Sequence, residues 1–314
     1  MKRLPKLKIG KLEPKYPIIQ GGMAVRLSTA DLAAAVANAG GIGLIAATGM
    51  EESELREEIK KARKLSGGII GINIMFAYSH FEQLTKAAID EGIDLIVQGA
   101  GFSRDIFKWC KDSGTEFVPI VSSAKLAKTS ERLGASAVVV EGKEAGGHLG
   151  TDRTMMDILT EVAEAVTIPV IAAGGVMTAS DMDKAFEAGA SGVQLGTLFA
   201  ATTEAAGADN LKDVYVTATK EDIVLIDSPV GLKGQAIRNE FTEKIARGET
   251  TPTACYKCLK KCSMNFCIMV ALNNAQQGFL EEGLIFSGEN IDCITEIVPA
   301  SQVIGNIVKA YQKL

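Results

Sequence analysis

The chain has 314 residues, 47% of them apolar and 23% charged, with a formal net charge of −5. This balance suits a globular protein with one large core and a smaller appendage, and it excludes a disordered chain. Acidic overall, the chain offers no basic surface excess for nucleic acid; it also lacks the ~20 consecutive apolar residues of a membrane span, so neither partner is expected.

The basic start, Met1 to Lys15, is not followed by an apolar stretch, so no signal peptide is read and a cytoplasmic location is expected. Tyr16 to Gln20 then opens as a first strand. After it one phrase recurs: an amphipathic helix, a glycine, then a short β-branched run. Its copies are Ala39-Gly40-Gly41-Ile42, Ser66-Gly67-Gly68-Ile69, Glu91-Gly92-Ile93, Ser113-Gly114-Thr115, Leu133-Gly134-Ala135 and Ala188-Gly189-Ala190. Each glycine is expected to end its helix in the left-handed region, which lacks a penalty for a residue without Cβ. The apolar run behind it does not alternate with polar residues, as in a strand covered on both faces.

A further copy replaces glycine with Ile168-Pro169 before Val170-Ile171-Ala172. With the opening strand, eight strands are complete by about residue 196, and eight such units predict an α/β fold, a (β/α)8 TIM barrel. The alternative, an open doubly wound sheet, uses the same units but rarely needs eight in unbroken succession. The repeat stops after Ala206. The expected division is a barrel over 1–208, completed by a C-terminal helix at 299–314, and a small satellite or lid over 209–298 with the cysteine cluster. In the last stretch Val303, Ile304, Ile307, Val308 and Tyr311 have helical spacing, so this helix is expected to dock on the barrel.

Barrel sites lie at the C-terminal ends of the strands. The residues there include Gln20-Gly21-Gly22-Met23, Asn73, Gln98-Gly99, Glu141 through Gly150, Ala173-Gly174-Gly175 and Gly196-Thr197. Glycines after the seventh and eighth strands leave backbone N–H groups free for a phosphate. Of the two histidines, His148 stands among glycines at a strand end, where it suits proton transfer or polarisation of an oxygen. His80, at a helix start, reads as solvated.

Several of these pieces occur together and in order: Gln20-Gly21-Gly22-Met23-Ala24, Gly71-Ile72-Asn73-Ile74-Met75, Glu144-Ala145-Gly146-Gly147-His148, Ala172-Ala173-Gly174-Gly175 and Gln194-Leu195-Gly196-Thr197. Over residues 14–205 the chain resembles the nitronate monooxygenase (2-nitropropane dioxygenase) and FabK-type enoyl-ACP reductase family, FMN-dependent barrel enzymes. The resemblance implies FMN as cofactor and His148 as the catalytic residue. It implies cofactor contacts at Gln20, Gly21, Gly22, Met23, Asn73 and Gly147, and phosphate contacts at Gly174, Gly175, Gly196 and Thr197.

The implied activity is oxidation of nitroalkanes or nitronates; the alternatives are reduction of an enoyl thioester or an NAD(P)H:quinone reductase. The small-molecule substrate is accordingly a nitronate, an enoyl thioester or a quinone, the redox partner is NAD(P)H or an electron-transfer protein, and a homodimer is the expected assembly. A non-enzymatic reading is a phosphate-binding barrel with a structural zinc.

Cys255, Cys258, Cys262 and Cys267 form C-x2-C-x3-C-x4-C within thirteen residues. Zinc sites commonly set two knuckles a dozen or more residues apart, whereas this spacing suits one loop wrapped around a [4Fe–4S] cluster. Both metals stay open, and the family that the barrel resembles needs neither. Cys110 reads as core; Cys293 reads as core or as a substitute ligand.

Overall fold

The computed structural model describes residues 2–252 and 254–314. Eight parallel strands alternate with helices: β1 (Ile18–Gln20), α1 (Ala30–Asn38), β2 (Gly43–Ala46), α2 (Glu52–Leu65), β3 (Ile70–Met75), α3 (Phe81–Asp90), β4 (Leu95–Gly99), α4 (Asp105–Ser113), β5 (Glu116–Val121), α5 (Ala124–Leu133), β6 (Val138–Glu141), β7 (Gly147–Leu149), α6 (Met155–Ala165), β8 (Val170–Ala173), α7 (Ala179–Glu187), β9 (Gly192–Leu195) and α8 (Thr197–Ala200). Of these, β7 alone stands outside the barrel. The barrel order is β1-β9-β8-β6-β5-β4-β3-β2, and a parallel bridge from Ile19 to Ile42 closes it between β1 and β2. This is the TIM barrel that the unit count predicts.

Alternation within each strand separates two layers of core. Leu44, Leu95, Val97, Val139 and Ile171 fill the barrel interior with Leu7, Ile9 and Leu12 from the N-terminal segment. Their neighbours Ile45, Ile96, Val138, Val170 and Ala172 instead pack under the helices. Both faces of the sheet are therefore dry, which is why the strands lack a polar alternation. Gly43 lets α1 lie directly on β2: a Cβ there would stand 1.9 Å from the Ala33 carbonyl oxygen.

Five of the six repeat junctions turn through a left-handed glycine, at Gly40, Gly92, Gly114, Gly134 and Gly189. The second differs, because α2 ends at Ser66 in extended backbone. There Gly68 serves close packing: a Cβ on it would meet the Ala37 carbonyl oxygen at 2.9 Å. Side chains start several helices, as where Thr178 and Asp181 form a reciprocal capping box on α7.

The chain continues through α9 (Asp209–Thr217), β10 (Ile223–Asp227), β11 (Lys233–Ile237), α10 (Glu240–Arg247), α11 (Ile268–Gln276) and α12 (Ala300–Tyr311). β10 and β11 form an antiparallel hairpin whose β11 also pairs with β7, so a strand from the barrel's sixth loop joins a three-stranded sheet outside the barrel. α12 lies against α1 and α7, taking the place of the eighth barrel helix. Its side chains Val303, Ile304, Ile307, Val308 and Tyr311 are all buried, each contributing roughly 1.5–3 kcal/mol where fully covered. No helix among the described residues is long and apolar enough to cross a membrane.

Candidate active site

The C-terminal strand ends open into a cavity of about 220 Å³. Its floor carries Gly21, Gly22 and Met23 after β1, Asn73 of β3, Glu141 of β6, Gly147 and His148 of β7, Gly174 and Gly175 after β8, and Gly196 and Thr197 after β9. The rest of its lining includes Leu211, Tyr215, Leu272, Leu284, Ile285 and Phe286, all from the chain beyond the last barrel strand. Ten of the eleven residues expected as catalytic or cofactor-binding thus line one space.

Gln20 is the exception. Its side chain is fully buried, giving hydrogen bonds to the Gly21 carbonyl and to Ser28 Oγ, and accepting the Leu44 N–H at 2.9 Å. Gln20 is one of the residues expected to contact the cofactor; in the structure its amide fixes the turn that carries Gly21 to Met23.

The glycines are required by space and by backbone. A Cβ on Gly22 would lie 2.2 Å from Asn73 Cβ, so nothing larger fits. Gly174 and Gly175 have φ of +95° and +74°. The amides of Gly174, Gly175, Gly196 and Thr197 make no hydrogen bond among the described residues, leaving donors for an anionic ligand. Gln194 Oε1, buried at the cavity wall, also has no partner among the described residues. A buried acceptor without a donor is costly, and a ligand N–H relieves that cost.

His148 is fixed from three sides. Its backbone pairs with Gly234 of β11, its Nε2 shares a 2.8 Å hydrogen bond with Ser228 Oγ, and its ring meets Phe286 edge-on at 5.1 Å. Ser228, in the turn after β10, is itself buried. Although the ring touches the cavity, it lies deep beneath the outer surface, and burial lowers its pKa to about 4. At neutral pH it is an uncharged imidazole held in one orientation. Glu141 shows the opposite consequence of the same cause, its carboxyl being pushed up to about 7 by burial.

These shifts give opposite pH dependences. Glu141 holds its proton more tightly when folded, so its contribution is fully present below the ordinary value of 4.5 and is lost as pH rises through about 7. His148 holds its proton less tightly than at the ordinary 6.5, so its contribution is lost as pH falls through about 4. Glu141→Gln removes the first slope. The variant's Tm relative to the parent should rise by roughly 2–5 °C between about pH 5 and pH 8; a pH-independent difference in thermal melts would place this carboxyl in water.

The cysteines are arranged differently from the expectation. All six are free thiols, and no three His, Cys, Asp or Glu side chains among the described residues stand in an arrangement that holds a metal ion. Cys255 and Cys262 are exposed on the loop while Cys258 and Cys267 are half-buried. They are nonetheless neighbours: burial first, then the charges of Cys267, Cys262 and Cys255, push the Cys258 thiol up to about 11. Cys110 is buried in the core, Cys293 is exposed apart from the loop, and His80 is exposed at the start of α3.

The sequence profile described as nitronate monooxygenase matches residues 6–91 and 78–310, nearly the whole chain. The chain belongs to the nitronate monooxygenase family. It is 32% identical over 286 residues to a probable nitronate monooxygenase of Staphylococcus haemolyticus, covering 76% of this chain and 79% of that protein. It is 31% identical over 237 residues to a Mycobacterium tuberculosis (3aS,4S,5R,7aS)-5-hydroxy-7a-methyl-1-oxo-octahydro-1H-indene-4-carboxyl-CoA dehydrogenase, covering 74% of this chain. That match and one to a Rhodococcus jostii dehydrogenase of the same name span 66% and 65% of those proteins, just under two thirds. Among solved structures, FabK of Thermotoga maritima superposes with a TM-score of 0.85 at 32% identity, covering 96% of this chain and 94% of that one. The nitroalkane oxidase of Streptomyces ansochromogenes shares the fold, with a TM-score of 0.82 at 24% identity over 96% of each chain.

The sequence placed Glu141 and Gln194 at strand ends without giving either a role, and it did not assign Ser228 or the segment Phe286 to Asn290 to the site. Ser228 precedes a proline–glycine turn. Nothing local marks the closing segment, where Gly288 N–H donates to Thr197 Oγ1 at 3.0 Å and Asn290 Nδ2 to the Gly175 carbonyl at 2.9 Å.

Proposed function

We propose that this chain is an FMN-dependent oxidoreductase that oxidises nitroalkanes and their nitronates. The observation that carries the reading is His148: an uncharged imidazole at the wall of the cavity, oriented by Ser228. The residues fit the cofactor. The free amides of Gly174, Gly175, Gly196 and Thr197 suit its phosphate, the tight Gly21–Met23 turn and Asn73 suit a flat ring, and Gln194 Oε1 offers an acceptor to a ring N–H. Bound FMN supplies an acceptor for the electron pair of a substrate carbanion, with O₂ as final oxidant.

The chain's own residues do the rest. His148 takes the proton from the carbon beside the nitro group, and the charge developing on the nitro oxygens stabilises the imidazolium formed next to it. Ser228 keeps the ring from turning away. Leu272, Leu284, Ile285 and Phe286 exclude water from above, which strengthens each charge interaction below them.

A second reading, reduction of an enoyl thioester, is favoured by Glu141. A carboxyl still protonated near neutrality suits delivery of a proton to the α-carbon of a reduced thioester. Anaerobic rapid mixing separates the two. Nitronate oxidation predicts that a secondary nitronate bleaches the flavin of oxidised holoenzyme, while crotonyl thioester leaves the photoreduced form unchanged. The reverse pair of results assigns enoyl reduction, reoxidation by a quinone alone assigns quinone reduction, and a colourless protein that takes up no FMN removes all three.

A further inference from the structure

The loop between α10 and α11 is unlike the rest of the molecule. The described residues of this stretch, 249–252 and 254–267, contain no helix and no strand beyond one bridge, Leu259 to Tyr78. Among the described side chains of this stretch only Phe266 is buried in the hydrophobic core. A connection of this length without structure of its own is uncommon in a compact fold unless something else organises it. Four of the six cysteines of the chain lie within it.

The backbone of the loop is nevertheless pinned near these residues. Ser79 N–H donates to the Cys258 carbonyl at 2.9 Å and Lys260 N–H to the Ala77 carbonyl at 2.9 Å, which ties Cys258 to the loop after β3. Cys267 is the residue that starts α11. Ser263 N–H reaches the Pro229 carbonyl at 3.1 Å, between the last two cysteines and the turn that carries Ser228. Two thiols thus stand on fixed, half-buried points, and two are exposed, Cys255 just before the first point and Cys262 between the two.

The first pair already has the form of a ligand turn. Lys257 N–H points at Cys255 Sγ from 3.4 Å, an amide-to-sulfur contact that stabilises a thiolate rather than a thiol. Lys257 itself has φ +52°, and Met264, between the second pair, has φ +61°. Left-handed backbone is disfavoured at a non-glycine residue, whose Cβ crowds the following carbonyl oxygen. Here it falls twice in the loop, once inside each of the turns Cys255–Cys258 and Cys262–Cys267. Lys257 and Lys261 neighbour the cysteines in the chain, and the first turn of α11 adds its dipole at Cys267.

From this arrangement we propose that Cys255, Cys258, Cys262 and Cys267 together bind a thiolate-ligated metal centre that staples this loop to the barrel mouth. It goes beyond the oxidoreductase reading and does not depend on it. Loading requires the exposed Cys255 and Cys262 to draw in toward the anchored Cys258 and Cys267, a closure that breaks no helix or strand. Spacings of two, three and four residues favour one continuous wrap around a [4Fe–4S] cubane over a single zinc ion.

The test is metal and sulfide analysis of the full-length protein purified without oxygen, then of the same protein reconstituted with ferrous iron and sulfide, or with zinc. About four iron and four sulfide per chain support the site and assign the cubane; about one zinc without sulfide supports the site and assigns zinc. Cys258→Ser with Cys262→Ser should abolish binding of either while circular dichroism and flavin content stay at the parent level. X-ray absorption of the loaded protein should show an all-sulfur shell at about 2.3 Å. A protein that takes up neither metal overturns the proposal, as does a double variant that binds as much as the parent.

Discussion

His148→Asn should lower kcat/KM for a neutral nitroalkane by about 10²–10⁴-fold, the usual worth of a positioned general base. The same variant should lose less than about tenfold on the preformed nitronate, because that anion has already given up its proton. The contrast follows from the structure: His148 is the uncharged base at the cavity wall, and asparagine keeps hydrogen bonding while losing basicity. Ser228→Ala should act in the same direction at about tenfold, since it leaves Nε2 without its 2.8 Å partner. Steady-state oxygen consumption with both substrate forms, at matched flavin content, checks this. Equal losses on nitroalkane and nitronate would remove proton abstraction from His148. The pH profile gives a second handle: with burial holding the pKa near 4, activity on the nitroalkane should fall below about pH 4 rather than near 6.5.

Gly43→Ala should destabilise the barrel by on the order of 3 kcal/mol. The added Cβ would sit 1.9 Å from Ala33 O, 2.5 Å from its carbonyl carbon and 2.6 Å from its Cα. All three are backbone atoms of α1, so no side-chain rotation relieves the overlap; the helix must lift from β2 and open the packing beneath it. Thermal melts should show a drop of roughly 5–10 °C. Gly67→Ala is the matched control, because a Cβ there meets nothing within 4 Å and should change stability by less than about 0.5 kcal/mol. Equal Tm for the two variants would mean that α1 is not seated on β2 as described.

Much of the barrel was legible before folding. A glycine that ends a helix acts through its own φ, so Gly40, Gly92, Gly114, Gly134 and Gly189 announce their turns locally. The unbroken apolar runs behind them announce strands buried on both faces. The site floor was legible for the same reason, since Gly21, Gly22, Gly174, Gly175, Gly196 and Thr197 follow strands directly and barrel strands deliver their ends to one mouth. Gln20 marks where this logic stops. Its place at a strand end is local, but the partners that occupy its amide, Ser28 and Leu44, come from elsewhere in the chain.

The sequence by itself determined the eight-unit barrel, the phosphate-ready glycine turns and the position of the single histidine among them. Tertiary structure decided the chemistry of that histidine. Ser228 lies 80 residues away, and Phe286, Leu272 and Tyr215 arrive from three separate segments beyond the last barrel strand. Backbone conformation depends on neighbours in the chain, whereas a pKa depends on how much water the whole fold removes from around a group. No local pattern carries that quantity.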